Sequence, residues 1–173
     1  YSPFFFRRLF DQSQQGASMA YPSEFPNFLL AAKRATYAGL DDNATVAPLL
    51  PDSKQLEYAK DEFLYRDIYA GILRFVGQEI VYRIDRALWS MAYSGGLLPD
   101  VSKTEAAAVY KIVRAALTAS PMNMPIRGPK LFNADGMSYT CVIHGDLQRF
   151  HGTEYISRDR PLYELHFAGG LLA

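Results

Sequence analysis

The sequence predicts an α+β fold in which one helix and three antiparallel strands occur twice. The first observation is an internal repeat, because residues 65–98 are echoed by residues 139–172 at an offset of 74 to 75 positions. The second is that a segment with helical apolar spacing precedes each copy. A repeat of this length constrains the architecture more than any single element does. We therefore expect a duplicated unit, antiparallel sheets with pseudo-two-fold symmetry, and helices packed on those sheets.

The repeat also predicts the domain organisation. Its shared positions are Tyr65/Tyr139, Gly71/Gly145, Phe75/Phe150, Gly77/Gly152, Glu79/Glu154, Asp85/Asp159, Arg86/Arg160 and the two Gly-Gly-Leu-Leu ends. One residue is gained after Gly145 and one is lost before Asp159, which places turns there. We expect residues 19–173 to form a single domain of two repeats, 25–98 and 102–172, preceded by a tail or linker at residues 1–18.

The elements of the first copy follow from local signals. A helix is predicted over residues 25–37, with Ser23 as N-cap, Pro26 in the first turn and Gly39 at its end. The Pro, Asp and Asn content of residues 39–55 indicates a loop. Strands are predicted at residues 63–69, 73–82 and 88–93.

The second copy opens with the clearest helix signal in the chain. Ser102 and Glu105 form a capping box ahead of Lys103–Thr118, whose apolar residues fall on one face, and Pro121 stops the helix. Residues 122–136 are predicted to be a loop leading into the second set of three strands.

Charge and composition exclude several classes of protein. The 18 basic and 18 acidic residues cancel and form no basic cluster, so we expect no direct nucleic-acid binding. The single cysteine, Cys141, excludes an internal disulfide and a cysteine-ligated zinc site. No apolar run approaches the ~20 residues of a membrane span, and Phe4-Phe5-Phe6 followed by Arg7-Arg8 is not a secretory signal. A cytoplasmic protein that does not bind membranes is expected.

Strand alternation predicts which side chains lie on the apolar faces. Trp89, Met91 and Tyr93 share one face, and most such residues should be core. If the two copies leave a space between them, the same rows would line a small-molecule site. The predicted ligand-binding residues are Tyr65, Tyr69, Glu79, Trp89, Tyr93, Tyr139, Glu154, Tyr163 and Phe167.

Glu79 and Glu154 are the polar residues of greatest interest. They occupy equivalent positions in the repeated motif F-x-G-x-E, on strands that otherwise carry apolar and aromatic side chains. A carboxylate beside aromatic walls can recognise a cation or an amine. The alternative is an exposed carboxylate, or one paired with Arg83 or Arg158.

Signals for catalysis, metal and cofactor are weak, and we expect none of the three. His144 and His166 share strand parity with Glu164, but the first and third strands of a meander are not neighbours. Cys141 and His144 are an odd number of residues apart and should point to opposite faces, which opposes a direct Cys–His pair. No glycine-rich phosphate loop opens a helix.

Several segments resemble a bacterial family described only as a domain of unknown function. Members occur alone or behind an XRE-type helix-turn-helix domain in proteins labelled transcriptional regulators. The resemblance covers about residues 25–172 and is carried by residues 28–39, Leu56-Glu57-Tyr58, Tyr65-Arg66-Asp67, Phe75-x-Gly77-x-Glu79, Trp89-Ser90-Met91, Met124-Pro125-x-Arg127-Gly128-Pro129, Tyr139-Thr140-Cys141 and Phe150-x-Gly152-x-Glu154. It supplies no catalytic residues, and residues 1–18 fall outside it.

The resemblance implies a sensing role, because a domain placed after a DNA-binding module often binds an effector or forms dimers. The leading hypothesis is therefore an effector-binding module whose ligand is an unidentified small molecule, amphipathic and cationic or aromatic. Two alternatives stay open. One is an enzyme that uses a pocket glutamate as acid or base, and the other is a dimerisation scaffold, for which a homodimer is expected.

Overall fold

The structure, a computed structural model, describes residues 21–38 and 45–172. The predicted tail at residues 1–18 and the predicted helix end at Gly39 lie outside this part of the chain. The described residues form a mixed α+β fold with two α-helices and a large antiparallel sheet of nine strands. In chain order the elements are α1 (Phe25–Lys33), continued by a π-helical turn (Arg34–Ala38), β1 (Thr45–Val46), β2 (Lys54–Lys60), β3 (Phe63–Gly71), β4 (Arg74–Arg83), β5 (Arg86–Leu97), α2 (Lys103–Thr118), β6 (Leu131–Ala134), β7 (Met137–Asp146), β8 (Arg149–Ser157) and β9 (Pro161–Leu171).

One continuous sheet contains both sets of strands. The strand order is β1-β2-β3-β4-β5-β9-β8-β7-β6, so each half is a meander and the halves meet at β5 and β9. These two strands pair antiparallel, with Tyr93 opposite Phe167. The sequence predicted sheets in the plural, whereas the halves share one hydrogen-bonded sheet.

Both helices pack on the same face of this sheet and bury its apolar side chains. Trp89, Met91 and Tyr93 of β5 are all at most 2% exposed, as the alternation predicted. The predicted capping box at Ser102 and Glu105 begins α2. Ser23 does not cap α1, because the N-cap position is Glu24 and the Ser23 hydroxyl donates to the Glu24 carboxylate instead.

Three strands lie in segments that the sequence predicted to be loops. β1 and β2 fall within or next to residues 39–55, and β6 falls within residues 122–136. All three lie at or next to an edge of the sheet. Such strands are short or carry many polar and charged side chains, as in the β2 sequence KQLEYAK, so their composition resembles that of loops.

Neither described helix combines the length and the apolar character that crossing a bilayer requires. The sheet face opposite the helices carries exposed side chains, among them Val76, Val142 and Tyr155. The buried charged side chains of the sheet lie on the helix-covered face.

Candidate functional site

A cluster of charged side chains lies between the helices and the sheet. Glu79 and Glu154 are both fully buried, and so are their positively charged partners Lys33 and Arg127, at 3% and 2% exposure. Together with the fully buried Asp67 they form what we call the buried charge cluster, consisting of Lys33, Asp67, Glu79, Arg127 and Glu154. The expected pairing of the glutamates with Arg83 or Arg158 does not occur.

Glu154 accepts hydrogen bonds from three side chains. Arg127 donates from Nε to Oε2 at 3.0 Å and from Nη2 to Oε1 at 2.5 Å, a two-pronged contact. Tyr139 donates to Oε2 at 2.7 Å and Tyr163 donates to Oε1 at 2.9 Å. Burial of a carboxylate is tolerated when it is paired and hydrogen-bonded in this way. Glu154 is therefore fully engaged inside the protein.

The pKa values of this pair shift in the direction that keeps both groups charged. Burial disfavours both charges, but the attraction between Arg127 and Glu154 outweighs it. The pKa of Arg127 is therefore raised, and the pKa of Glu154 is lowered. Burial, followed by the nearby carboxylate, raises the pKa of Tyr139 and of Tyr163 above the ordinary phenol value. Both tyrosines therefore stay protonated donors.

Glu79 is less completely engaged. Its Oε2 accepts from Lys33 Nζ at 2.5 Å, whereas its Oε1 lies 3.9 Å from Arg127 Nη1, beyond hydrogen-bond distance. Burial lowers the pKa of Lys33 although Glu79 opposes that shift. Arg127 thus lies between the two glutamates and satisfies only one of them.

Asp67 lies directly opposite Glu79 in the β3–β4 register, so two carboxyl groups are neighbours in the protein interior. Tyr93 donates to Asp67 Oδ1 at 2.7 Å, and the Tyr37 hydroxyl is 3.2 Å from the Tyr93 hydroxyl. Burial, followed by repulsion from Glu79, raises the pKa of Asp67 to about 7. A pKa in this range makes Asp67 a candidate for proton exchange near neutral pH.

The repeated motif F-x-G-x-E is explained by these contacts. A Cβ built at Gly77 would lie 2.4 Å from the Tyr93 hydroxyl, and one at Gly152 would lie 2.5 Å from the Phe167 ring. Each glycine therefore leaves room for an aromatic side chain of the next strand, and the glutamate that follows two residues later points to the same face. Gly128 has a similar role, because it lies against Tyr139 and donates its N–H to the phenol oxygen.

A cleft of about 560 Å³ opens beside the cluster, between α2, the π-helical turn and strands β1 to β4. Four aromatic side chains line it, namely Tyr37, Tyr69, Phe75 and Tyr110. Phe75 contacts Tyr69 and Tyr110 at ring-centroid distances of 6.5 and 6.3 Å. Tyr110 donates to the carbonyl of Leu73, which fixes its ring against the turn between β3 and β4.

Two residues connect the cleft with the buried charge cluster. Arg127 lines the cleft and binds Glu154, while Tyr37 lines the cleft and leads through Tyr93 to Asp67. The π-helical turn that carries Tyr37 interrupts α1, and such turns are frequent at functional sites. A ligand in the cleft would therefore be one side chain away from the cluster.

Of the nine predicted ligand-binding residues, only Tyr69 lines the cleft. The other eight are buried behind it or farther along the sheet, which agrees with the expectation that most residues of these rows are core. The cleft lies between the first meander and α2 of the second copy, and not between the two meanders. Its walls are completed by Tyr37, Phe75 and Tyr110, which the sequence did not single out.

The sequence also carried signals for two of the missed charged residues. Lys33 lies on the apolar face of α1, at the helical spacing of Phe25, Phe28, Leu29 and Ala32. The sequence alone therefore indicates a charge on that face. Asp67 alternates with Tyr65 and Tyr69 on the apolar face of β3. Arg127 lies in an irregular segment where no periodicity applies.

The remaining candidates lie elsewhere. Cys141 is buried and His144 is exposed, so the two point to opposite faces as expected. The imidazole of His144 stacks on that of His151, and His166 bonds to Glu164 at 2.7 Å, all on the solvent face. Within the described ranges, no group of three or more His, Cys, Asp or Glu side chains is arranged to hold a metal ion.

Comparison with known protein families gives a match for most of the chain. Residues 67–172, more than half of the 173-residue chain, match the family Domain of unknown function (DUF5680). The chain belongs to the DUF5680 family. No curated protein and no solved structure matches it.

The matched part of this DUF5680 domain begins at Asp67 and contains both F-x-G-x-E motifs, α2 and Arg127. Lys33 and Tyr37 precede it. The buried charge cluster therefore combines four residues of the matched region with Lys33 from α1, and the cleft adds Tyr37 from the π-helical turn.

Proposed function

We propose that this chain is a small-molecule-binding module of the effector-sensing type, and that the cleft is its site. The observation that carries the proposal is the aromatic cleft of about 560 Å³ whose inner wall is formed by Tyr37 and Arg127. The volume falls within the range of small-molecule sites, ~300 to 1,000 Å³. Aromatic walls with a few polar groups at one end are typical of such sites.

The cleft favours a ligand with an apolar or aromatic body. Tyr69 and Phe75 form one wall and Tyr110 lies across from them on α2. A ring inserted here can pack edge-to-face against these side chains, as they already pack against each other. Such walls support the amphipathic ligand inferred from the sequence.

The proposed sensing role rests on the resemblance to bacterial domains carried behind helix-turn-helix modules. An effector that binds between α2 and the sheet would change the position of a helix, and helix shifts are a common way to transmit binding. We propose that the DUF5680 domain acts in this way when it is joined to a DNA-binding partner.

We also propose that the fold arose by duplication of a helix-plus-meander unit. The support is the strand order and the register at its centre. Tyr93 pairs with Phe167, and the repeat matches these same two residues at its offset of 74. The two halves differ at one informative pair, because Asp67 faces Glu79 in one half and Cys141 faces Glu154 in the other.

A second candidate is an enzyme that uses the same cleft. The observation in its favour is Asp67, since a carboxyl group with a pKa of about 7 is poised for acid–base exchange. The chain Asp67–Tyr93–Tyr37 reaches the cleft by hydrogen bonds. Turnover of a cleft-bound compound that depends on Asp67 would favour this candidate over sensing.

The binding proposal is tested by a ligand screen with two matched variants. Amphipathic amines and aromatic metabolites are screened by thermal shift and by the fluorescence of Trp89, the single tryptophan. Tyr69→Ala removes a cleft wall, while Tyr155→Ala removes a tyrosine on the opposite face of the sheet. We expect a compound that stabilises wild type and Tyr155→Ala but is bound about tenfold more weakly by Tyr69→Ala. Equal stabilisation of all three proteins would contradict the cleft as the site.

A further inference from the structure

Three buried polar atoms in one part of the cluster have no hydrogen-bond partner among the described residues. They are the Tyr65 hydroxyl, Asp67 Oδ2 and Glu79 Oε1, and all three side chains are fully buried. Most buried polar atoms in proteins are hydrogen-bonded, and leaving one without a partner costs ~1 to 3 kcal/mol. Three such atoms on neighbouring residues indicate a site that is completed by another group.

The backbone places these residues side by side. Asp67 pairs with Glu79 across β3 and β4, and Tyr65 precedes Asp67 by two residues on the same face. Two of the three atoms are carboxyl oxygens, which accept hydrogen bonds when ionised, and a phenol oxygen also accepts. A primary ammonium carries three N–H donors and no acceptor, so its hydrogen-bonding capacity matches the three atoms.

The charge balance of the cluster points to the same group. Lys33 and Arg127 supply two positive charges against the three carboxyl groups of Asp67, Glu79 and Glu154. With all five groups ionised, the cluster is one positive charge short. An unbalanced buried charge is strongly unfavourable, so the free protein must hold a proton or bind a cation. A water molecule would bridge the open oxygens but would not supply the charge.

The proton has an identifiable place. Asp67 has the raised pKa of about 7, caused by burial and then by Glu79. The titratable and charged groups around it, taken from every neighbouring element, are Lys33 on α1, Tyr37 on the π-helical turn, Tyr65 and Tyr69 on β3, Glu79 on β4, Tyr93 on β5 and Arg127 after α2. The hydrogen bonds from Tyr93 and Tyr37 and the charge of Lys33 lower the pKa of Asp67, but burial and Glu79 outweigh them.

We propose that the ligand of the cleft carries a primary ammonium group, which takes the place of the Asp67 proton and donates to Tyr65, Asp67 and Glu79. This inference rests on the proposed small-molecule function and specifies its ligand class. Binding is an exchange in which one ammonium enters the cluster and one proton leaves Asp67 for solvent. The aromatic body of the ligand stays in the cleft against Tyr69, Phe75 and Tyr110.

Tyr37 and Arg127 are the residues that line the cleft and also contact the groups around the three atoms. The Tyr37 hydroxyl is 3.2 Å from that of Tyr93, and Arg127 Nη1 lies 3.9 Å from Glu79 Oε1 without a hydrogen bond between them. An ammonium that entered here would have to displace the Tyr37–Tyr93 contact and pass the charge of Arg127. Lys54 and Arg114 also line the cleft, but both reach solvent, where salt weakens their repulsion of a cation.

The test compares three probes that share a phenyl ring and differ in charge. The probes are 2-phenylethylamine, the neutral 2-phenylethanol and the anionic 3-phenylpropionate, and binding is measured by calorimetry on wild type. We expect the amine to bind at least about tenfold more tightly than the alcohol. Its affinity should rise about tenfold from pH 5.5 to 6.5 and level off above pH 7.5, because each bound amine displaces one proton. Calorimetry in buffers of different ionisation enthalpy should count about one proton released at pH 6.

Asp67→Asn and Tyr155→Phe are the variants for this test. Asp67→Asn removes the proton site, so amine binding should weaken and lose its pH dependence below pH 7. Tyr155→Phe, on the opposite sheet face, should behave as wild type. Amine binding without proton release, or equal affinity for amine and alcohol, would overturn the inference.

A fourth probe separates failure of this inference from failure of the proposed function. Methylammonium chloride is compared with sodium chloride at equal ionic strength by urea denaturation at pH 8. If the alcohol or the propionate binds in the cleft and the amine does not, the ammonium inference fails and the binding function stands. If no phenyl probe binds but methylammonium stabilises wild type and not Asp67→Asn, the ammonium site stands and the cleft proposal fails. If none of the four has an effect, both are wrong.

Discussion

Asp67 and Glu79 face each other across β3 and β4, both fully buried, and only one oxygen of each accepts a described hydrogen bond. Two carboxyl groups in one dry place cannot both ionise without a matching positive charge. Glu79 has Lys33 at 2.5 Å, while Asp67 is held by the neutral hydroxyl of Tyr93. We therefore expect Asp67, whose pKa is raised to about 7, to be the member of the pair that carries a proton below that pH.

Asp67→Asn should change how stability depends on pH. The pKa of Asp67 is raised from 3.8 to about 7 on folding, so the folded state binds the extra proton between these values. Stability from this group is therefore fully present below pH 4 and is lost as the pH rises toward 7. Asparagine cannot ionise. The free energy of unfolding of Asp67→Asn, relative to that of wild type, should therefore rise by roughly 4 kcal/mol between pH 4 and pH 8.

Urea denaturation of both proteins at pH 4 and pH 8 measures this effect, because other titrating groups cancel in the difference between variant and wild type. An unchanged difference at the two pH values would show that Asp67 ionises normally in the folded protein.

Lys33→Met should be strongly destabilising, because it leaves Glu79 buried without its cation. Removing one partner of a buried ion pair costs ~3 to 5 kcal/mol, whereas removing both costs much less. The double variant Lys33→Met/Glu79→Gln should therefore regain most of the loss. Lys111→Met provides the matched control, since the Lys111–Asp135 pair is exposed and such pairs contribute at most ~1 kcal/mol. Equal losses for Lys33→Met and Lys111→Met would contradict the burial of the pair.

Tyr93→Phe should destabilise the protein by removing one hydroxyl group that donates to Asp67. The phenol donates to Asp67 Oδ1, and that bond lowers the pKa of Asp67 against the stronger effects of burial and Glu79. Its loss should raise the pKa of Asp67 further and cost ~1 to 3 kcal/mol at pH 8. Tyr155→Phe, a partly exposed tyrosine on the other sheet face, should change stability by less than ~0.5 kcal/mol. Similar effects of the two substitutions would argue against the hydrogen bond.

Cys141 should react with thiol reagents only when the protein opens. Its side chain is 3% exposed, and burial followed by the charge of Glu154 raises the pKa of the thiol to about 11. Little thiolate is therefore present at pH 8. We expect labelling by a disulfide reagent such as DTNB to be slow in buffer and to accelerate with urea in parallel with unfolding, while full denaturation gives immediate labelling. Rapid reaction of the native protein would show that β7 is accessible from the helix side.

Periodicity in the sequence predicted the parts of the fold where one face of an element is buried. α2 begins and ends where its capping box and apolar face placed it, and the alternating rows on β3, β5, β7 and β9 are the core. β1, β2 and β6 were missed because edge strands carry polar residues on both faces. The joining of both meanders into one sheet at β5 and β9 depends on long-range pairing, which local patterns do not encode.

The candidate site was predictable in part for the same reason. Glu79 and Glu154 stood out as charges in apolar rows, and their burial follows from that position. The partners Lys33 and Arg127 come from segments far away in the chain, so only the folded structure brings them to the glutamates. A space between the two repeats was one possibility that the sequence raised; the cleft lies between the first meander and α2, where Tyr37 of the π-helical turn and Tyr110 of α2 form its walls.

The central claim is that the buried charge cluster lacks one positive charge, which a proton on Asp67 supplies until an ammonium replaces it. Carbon-13 NMR of the Asp67 carboxyl group, titrated with pH in the presence and absence of 2-phenylethylamine, measures this directly. We predict a midpoint near 7 in the free protein, and a midpoint lower by at least one unit with saturating amine. A midpoint near 4 in the free protein, or the same midpoint with and without the amine, would contradict the account.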